Sequence, residues 1–243
     1  MAMSEPCELV RLSGLAGVML TSAVWLAGCA GSPGGFAEES RQAYRAAGHW
    51  RFDEDPVGAV PTGWSIRETN GGGALATWQV AADPTAPSPP NVLCLTRTSN
   101  SGHTYNLAIA DGTRLEDLEL SVRVGSDGGS EDQGGGPIWR CRDANNYYIC
   151  RINPLEDNYR VYKVVEGRRT QLASAEVETE PGRWYTLRVT MIGDRITCEL
   201  DGRPYLEVRD DTFSEAGRVG LWTKADAATG FDNLEVRAAG GAR

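Results

Sequence analysis

Trp184-Tyr-Thr-Leu-Arg-Val-Thr-Met-Ile-Gly-Asp-Arg-Ile-Thr-Cys-Glu-Leu-Asp-Gly-Arg-Pro-Tyr-Leu-Glu-Val208 reads as three strands in succession. Apolar residues recur at every second position, as they do when one face of a strand is buried and the other meets water. Gly193-Asp194 and Asp201-Gly202 break the alternation. Asp-Gly between two alternating runs is a strong local hairpin signal, because its residues accept the positive φ of a tight turn. The same pattern continues outward on both sides: Leu118–Val124, Tyr159–Val165, Arg218–Trp222 and Phe231–Val236 all alternate. At least eight short strands separated by Gly and Asp turns predict an all-β protein, a sandwich of two antiparallel sheets or a barrel. Two long loops interrupt the strands: proline-rich 82–90, with strands on both sides, and Gly-rich 125–136. Long loops in a compact β-domain are favoured places for binding sites.

Composition narrows the function. Of 243 residues, 24 are Lys or Arg and 33 Asp or Glu, a net charge of −9. Nucleic-acid binding needs a cationic surplus to neutralise phosphates, so no nucleic-acid partner is expected. The two histidines, His49 and His103, give no paired-His metal motif and make a Ser-His-Asp triad improbable. Near the N-terminus, the uncharged run Leu12–Leu26 is too short to span a bilayer and suits the apolar region of a signal peptide. It leads into Leu26-Ala27-Gly28-Cys29, which matches a bacterial lipobox. The expected organisation is therefore a lipoprotein signal peptide at 1–28, an acylated Cys29 with a small polar tether at 29–48, a β-sandwich at 49–238 and a tail at 239–243. The lipid would be the sole membrane contact, placing the domain in the periplasm or at the cell surface. Cys141 and Cys150 flank the turn Asp143-Ala-Asn-Asn146 and are the plausible disulfide for an oxidising compartment.

Four blocks carry a resemblance: Gly135-Gly-Pro-Ile-Trp-Arg-Cys-Arg-Asp-Ala-Asn-Asn-Tyr-Tyr-Ile-Cys-Arg151, Leu155-Glu-Asp-Asn-Tyr-Arg-Val-Tyr-Lys163, Trp184–Gly202, and Gly217-Arg-Val-Gly-Leu-Trp-Thr-Lys-Ala-Asp226 with Phe231-Asp-Asn-Leu234. Together they resemble the bacterial concanavalin A-like lectin/glucanase superfamily in its laminin-G-like branch. Within it they are similar to exported 3-keto-disaccharide hydrolase-like (family 16 glycoside hydrolase-like) domains. The resemblance implies a concanavalin-like jelly roll and a carbohydrate partner. It leaves three functions open, because this fold hosts all of them: glycan recognition on the concave face, hydrolysis or lysis of ordinary or 3-keto glycosides, and a structural or adhesive envelope module. The paired-carboxylate strand Glu-x-Asp-x-x-Glu of family 16 is absent. The doublets Glu131-Asp132, Glu156-Asp157 and Asp210-Asp211 read as solvated turn charges, since neighbours in a strand face opposite ways.

Strict alternation through the 143–146 hairpin would bring Arg140, Arg142, Tyr147 and Arg151 to one face. Guanidinium forks beside an aromatic ring suit hydroxyls, carboxylates or sulfates. Trp222 and Lys224 would form the rim, although Trp184 and Trp222 also read as core. Asp232, beside Asn233, offers oxygens of the kind a structural Ca²⁺ takes, and no other cofactor is expected.

Overall fold

The computed structural model describes residues 47–240, and no helix occurs among them. The signal peptide, Cys29 and nearly all of the tether lie outside the described residues. In chain order the strands are β1 (Ala47–Trp50), β2 (Trp64–Thr69), β3 (Thr77–Ala82), β4 (Asn91–Arg97), β5 (Tyr105–Leu115), β6 (Leu118–Gly128), β7 (Gly136–Asp143) and β8 (Asn146–Asn153). They continue as β9 (Asn158–Val165), β10 (Arg168–Glu176), β11 (Trp184–Ile192), β12 (Arg195–Leu200), β13 (Arg203–Arg209), β14 (Gly217–Lys224) and β15 (Ala228–Ala238). The β11-β12-β13 meander is the triple read from the alternation, with turns at 193–194 and 201–202.

Two antiparallel sheets form the sandwich. One runs β13-β12-β11-β6-β15-β4-β3, with β1 also paired to β15; the other runs β10-β9-β8-β7-β14-β5-β2. The inward positions of both sheets make one core, including Leu120, Val122, Val124, Leu187, Val189 and Met191 from the first and Ala108, Trp139, Tyr148, Ile152, Val219 and Leu221 from the second. Trp64 and Trp78 are in it as well, Trp78 packed against Phe231 at 5.8 Å. Each fully buried Leu, Val or Ile contributes roughly 1.5–3 kcal/mol, so this interior dominates stability.

The second sheet also buries its outward face. Tyr105, Leu107, Ile109, Ile138, Cys141, Tyr147, Ile149, Tyr162, Val164 and Trp222 form a separate apolar cluster there. Curvature is the reason. Strands β10 and β5 stand five places apart, about 24 Å along a flat sheet at ~4.8 Å per strand. Yet the guanidinium carbon of Arg169 on β10 lies 5.1 Å from the ring centroid of Tyr105 on β5. The sheet is therefore rolled, this face is concave, and side chains from its two edges meet over the middle.

One local departure redirects several residues. In β7 the ladder to β8 slips between Trp139 and Asp143, and the ladder to β14 slips between Ile138 and Cys141. Arg140 sits at that point with φ of +43°, the left-handed region. Such a bulge inserts a residue and reverses the facing of those that follow. Gly217 of β14 makes room for it: a Cβ there would lie 2.4 Å from the Arg140 carbonyl carbon.

Candidate functional site

The concave face is held by a clasp at its rim. Thr69, the last residue of β2, shares a hydrogen bond of 2.7 Å with the Tyr147 hydroxyl on β8 and donates another to the Ala144 carbonyl. Asn70 donates through Nδ2 to the Gly167 carbonyl at 2.9 Å and the His103 carbonyl at 3.2 Å. Gly167, at φ of +77°, donates its N–H to the Asn145 carbonyl; a Cβ there would strike the Asn70 amide oxygen at 2.5 Å. The hairpin turns 143–146 and 166–167 are thus tied to the opposite edge of the sheet.

Under this rim lie three aromatic rings and one arginine. The Arg169 guanidinium stands 4.4 Å from the Tyr162 ring, 5.1 Å from Tyr105 and 5.7 Å from Trp222. Its Nη1 is buried without a hydrogen-bond acceptor, which the π faces around it account for. Trp222 donates its indole N–H to the Tyr147 hydroxyl at 3.3 Å. Burial pushes the Tyr105 phenol up, against the pull of Arg169 and Lys224. Asn70, His103, Tyr105, Glu166, Arg168 and Arg169 line an open hollow of about 450 Å³. Because Arg169 covers the rings, the hollow presents a planar donor fork and not a bare aromatic face.

Beside this hollow lies a buried charge network. Lys224 donates to Asp132 Oδ2 at 2.8 Å, and Asn153 donates to Asp132 Oδ1 at 3.3 Å. Asp132 is 1 % exposed, and burial raises its carboxyl above the usual range, opposed by Lys224 and Arg151. Three successive backbone N–H groups, of Ser130, Glu131 and Asp132, point at the Asp226 carboxylate. Against the upward push of burial, they and the Ser130 hydroxyl hold it at about 2. The Gly-rich loop, expected as a favoured place for a binding site, is thereby fastened just past the end of β14. Arg151, also 1 % exposed, donates to Asn158 at 2.6 Å, Glu156 at 2.9 Å and the Tyr162 hydroxyl at 3.3 Å. Burial raises the Glu156 carboxyl, but hydrogen bonds from Asn158 and Arg151 and the nearby Arg160 outweigh it and leave it at about 2.

The expected convergence of Arg140, Arg142, Tyr147 and Arg151 does not occur. Tyr147 and Arg151 share the concave face, as their spacing requires, but both are buried in the fold's own contacts. The bulge sends the Arg140 guanidinium elsewhere: it donates to the Glu116 carbonyl at 2.8 Å and the Phe213 carbonyl at 2.6 Å, and pairs with Asp117 at 3.3 Å. Arg142 is exposed, with its guanidinium 5.1 Å from the Phe213 ring. Trp222 is fully buried in the floor, not on the rim, and Lys224 is held by Asp132. The disulfide expectation is corrected too. Cys141 and Cys150 are thiols, and the bulge turns Cys141 to the concave face while Cys150 faces the core between the sheets.

The acidic doublets are not all solvated turn charges. In the first both carboxylates are engaged, Asp132 as above and Glu131 by the Gly102 N–H; in the others Glu156 pairs with Arg151, and Asp210 with Lys163 at 2.7 Å and the Tyr148 hydroxyl at 2.6 Å. Asp232 has both oxygens occupied by backbone donors, Ser88 N–H at 2.7 Å and Asn233 N–H at 2.6 Å. It thereby pins the proline-rich loop to β15. Among the described residues no three His, Cys, Asp or Glu side chains gather to hold a metal ion.

Arg169, Tyr105 and Tyr162 were missed from sequence. Tyr162 carried a signal, sharing parity with Val164 in an alternating strand. Arg169 carried none, because β10 is mostly exposed and its Arg-Arg-Thr-Gln start shows no alternation.

Comparison with known proteins agrees with the fold. A levanase of Bacillus subtilis (strain 168) is 26 % identical over 139 residues, which make up 56 % of this chain and 19 % of the levanase. The chain therefore spans about a fifth of that protein's length. Among solved structures, the carbohydrate binding module CBM66 from Bacillus subtilis superposes with a TM-score of 0.58 at 21 % identity, covering 73 % of this chain and 96 % of the module. Domain 4 of AbnA, a GH43 extracellular arabinanase from Geobacillus stearothermophilus solved with arabinotriose, gives a TM-score of 0.53 at 12 % identity, covering 80 % and 92 %. At these identities the two structures establish a shared β-sandwich fold. The sequence match to the family model extends across nearly every strand described above, from residue 52 to residue 237, and the chain belongs to the family of 3-keto-alpha-glucoside-1,2-lyase-like domains.

Proposed function

We propose that this is an exported carbohydrate-recognition domain that binds glycan on the concave face, in the hollow around Arg169. The observation that carries the reading is the stacked guanidinium. Arg169 is held over Tyr162 and Tyr105, so its fork is oriented before any ligand arrives. A preset planar donor loses little side-chain freedom on binding sugar hydroxyls. The hollow adds an amide at Asn70, an imidazole at His103 and the Arg168 guanidinium, the few polar groups on a largely formed surface that small-ligand sites present. The module-like size of the sandwich, its family, and relatives named as a levanase and a carbohydrate binding module support the same reading. Anchoring through a lipidated Cys29 would place the domain outside the cytoplasm.

A second reading, catalysis on 3-keto glycosides, draws on Asp132. It is a buried carboxyl close to Lys224 and within electrostatic reach of Tyr105, the kind of shifted group an acid–base step uses. Both its oxygens already bond Lys224 and Asn153, so a substrate would have to displace one of them. The full-length chain is incubated with soluble polysaccharides, beginning with levan, and both protein depletion and new products are followed by mass spectrometry. Depletion without products, lost in Arg169→Ala while that variant still unfolds cooperatively, is the expected result. Products would establish catalysis. Binding unaffected by Arg169→Ala would overturn the site.

A further inference from the structure

At the other end of the concave face lies a larger open hollow of about 740 Å³. Four arginines line it, each from a different strand: Arg67 on β2, Arg114 on β5, Arg142 on β7 and Arg218 on β14. Two carboxylates accompany them. Asp111 already accepts the Ser65 hydroxyl at 2.7 Å and an Arg218 N–H at 3.4 Å, and Glu215 is exposed at the edge. Among the described residues neither Arg67 nor Arg142 has a carboxylate within ion-pair distance. Arg67 instead donates to the carbonyl of its neighbour Ile66, and Arg142 lies against Phe213. Arg218 donates to the Arg142 carbonyl at 3.0 Å, which draws these two strands' arginines to one spot. The Cys141 thiol in the floor adds no negative charge, since burial, reinforced by the nearby Asp143 and Asp111, pushes it up to about 12.

Like charges on neighbouring strands repel, and here Arg67 and Arg142 accompany Arg218 with no carboxylate of their own at ion-pair distance, an unfavourable arrangement for the free surface. It occurs in a chain whose net charge is −9, so it is a local concentration of positive charge and not the general character of the surface. A bound anion removes the repulsion, and planar forks pair bidentately with carboxylate or sulfate. We infer that this hollow is a second glycan site, selective for polysaccharide segments bearing carboxylate or sulfate groups. The inference builds on glycan binding by the concave face, but it concerns different residues from the Arg169 hollow.

The test titrates the full-length chain with polygalacturonate, with dextran sulfate and with neutral dextran, at about 50 mM and about 500 mM NaCl, where screening differs strongly. At least one anionic polymer is expected to bind at low salt, with neutral dextran at least about tenfold weaker, and high salt should abolish the difference. The exposed pair Arg67→Ala/Arg142→Ala should weaken anionic binding about tenfold or more and leave thermal stability unchanged. Arg195→Ala/Arg209→Ala, which removes two exposed arginines of the other sheet, should leave it unmoved and so controls for net charge. Arg169→Ala should leave it unmoved as well, which separates this site from the first. The polymer that binds tells carboxylate from sulfate recognition. Failure of both polymers to bind, or equal weakening by the control pair, would overturn the inference. Loss of neutral-glycan binding alone would count against the Arg169 hollow and not against this one.

Discussion

Replacing Arg140 by alanine distinguishes the role that the bulge assigns it from the ligand-binding role that strand alternation suggests. The side chain is 1 % exposed and donates to two main-chain carbonyls, those of Glu116 and Phe213. Hydrogen bonds from charged donors contribute about 1.5–3 kcal/mol each, and stranding two buried acceptors forfeits most of that. The pair with Asp117 adds under about 1 kcal/mol, because that carboxylate is substantially exposed. Relief from burying a guanidinium, whose proton affinity burial already lowers, offsets part of the loss. The balance is a destabilisation of about 3 kcal/mol, or roughly 6–12 °C in Tm for a domain of this size. Arg140→Gly should lose about 1 kcal/mol less than Arg140→Ala, since glycine accepts the φ of +43° without a Cβ penalty. Urea unfolding followed by tryptophan fluorescence measures both variants, and glycan binding is measured on the folded protein. Stability within about 1 kcal/mol of the parent, together with lost glycan binding, would refute the reasoning and return Arg140 to the ligand site.

Burial, with Asp83 nearby, raises Asp127 from an ordinary 3.8 to about 6 in the folded chain. A carboxyl raised on folding contributes stability fully below its unfolded value, and that contribution is lost as pH climbs through 6. Asp127→Asn should therefore remove about 1–2 kcal/mol of the stability decline between about pH 4 and pH 7, read as the difference between the two chains' urea midpoints across that window. Identical pH profiles would contradict it. Lys224→Met removes the cation bonded to the buried Asp132, leaving Arg151 as the nearby positive charge, and should cost about 3 kcal/mol, while adding Asp132→Asn should recover more than half; a double variant no better than the single would show that the pair is not coupled. Cys141 and Cys150 should resist alkylation by iodoacetamide in the native chain and both react in urea without reductant, as peptide mass mapping would show. A 141–150 disulfide in unreduced protein would refute their placement on opposite faces.

Sequence alone determined the class of fold. Alternation with period two and Gly or Asp turns are local properties, and the 184–208 meander, the 143–146 hairpin and the strand at 159–165 follow from them directly. Even the facing of Tyr147 and Arg151 was legible, because no irregularity interrupts β8. What alternation cannot register is a single inserted residue. The bulge at Arg140 depends on Gly217 yielding space in a strand some eighty positions away, and it decides where Arg140, Cys141 and Arg142 point. Nor does a strand's own pattern contain the roll of the sheet. Only that roll brings Arg169 from one side onto Tyr105 from the other, turns three aromatic rings into a covered floor, and gathers Arg67, Arg142 and Arg218 from three strands into one hollow. Strand periodicity is written between neighbours a few residues apart, whereas both hollows are made by contacts across the sheet, which exist only once the whole face has curved.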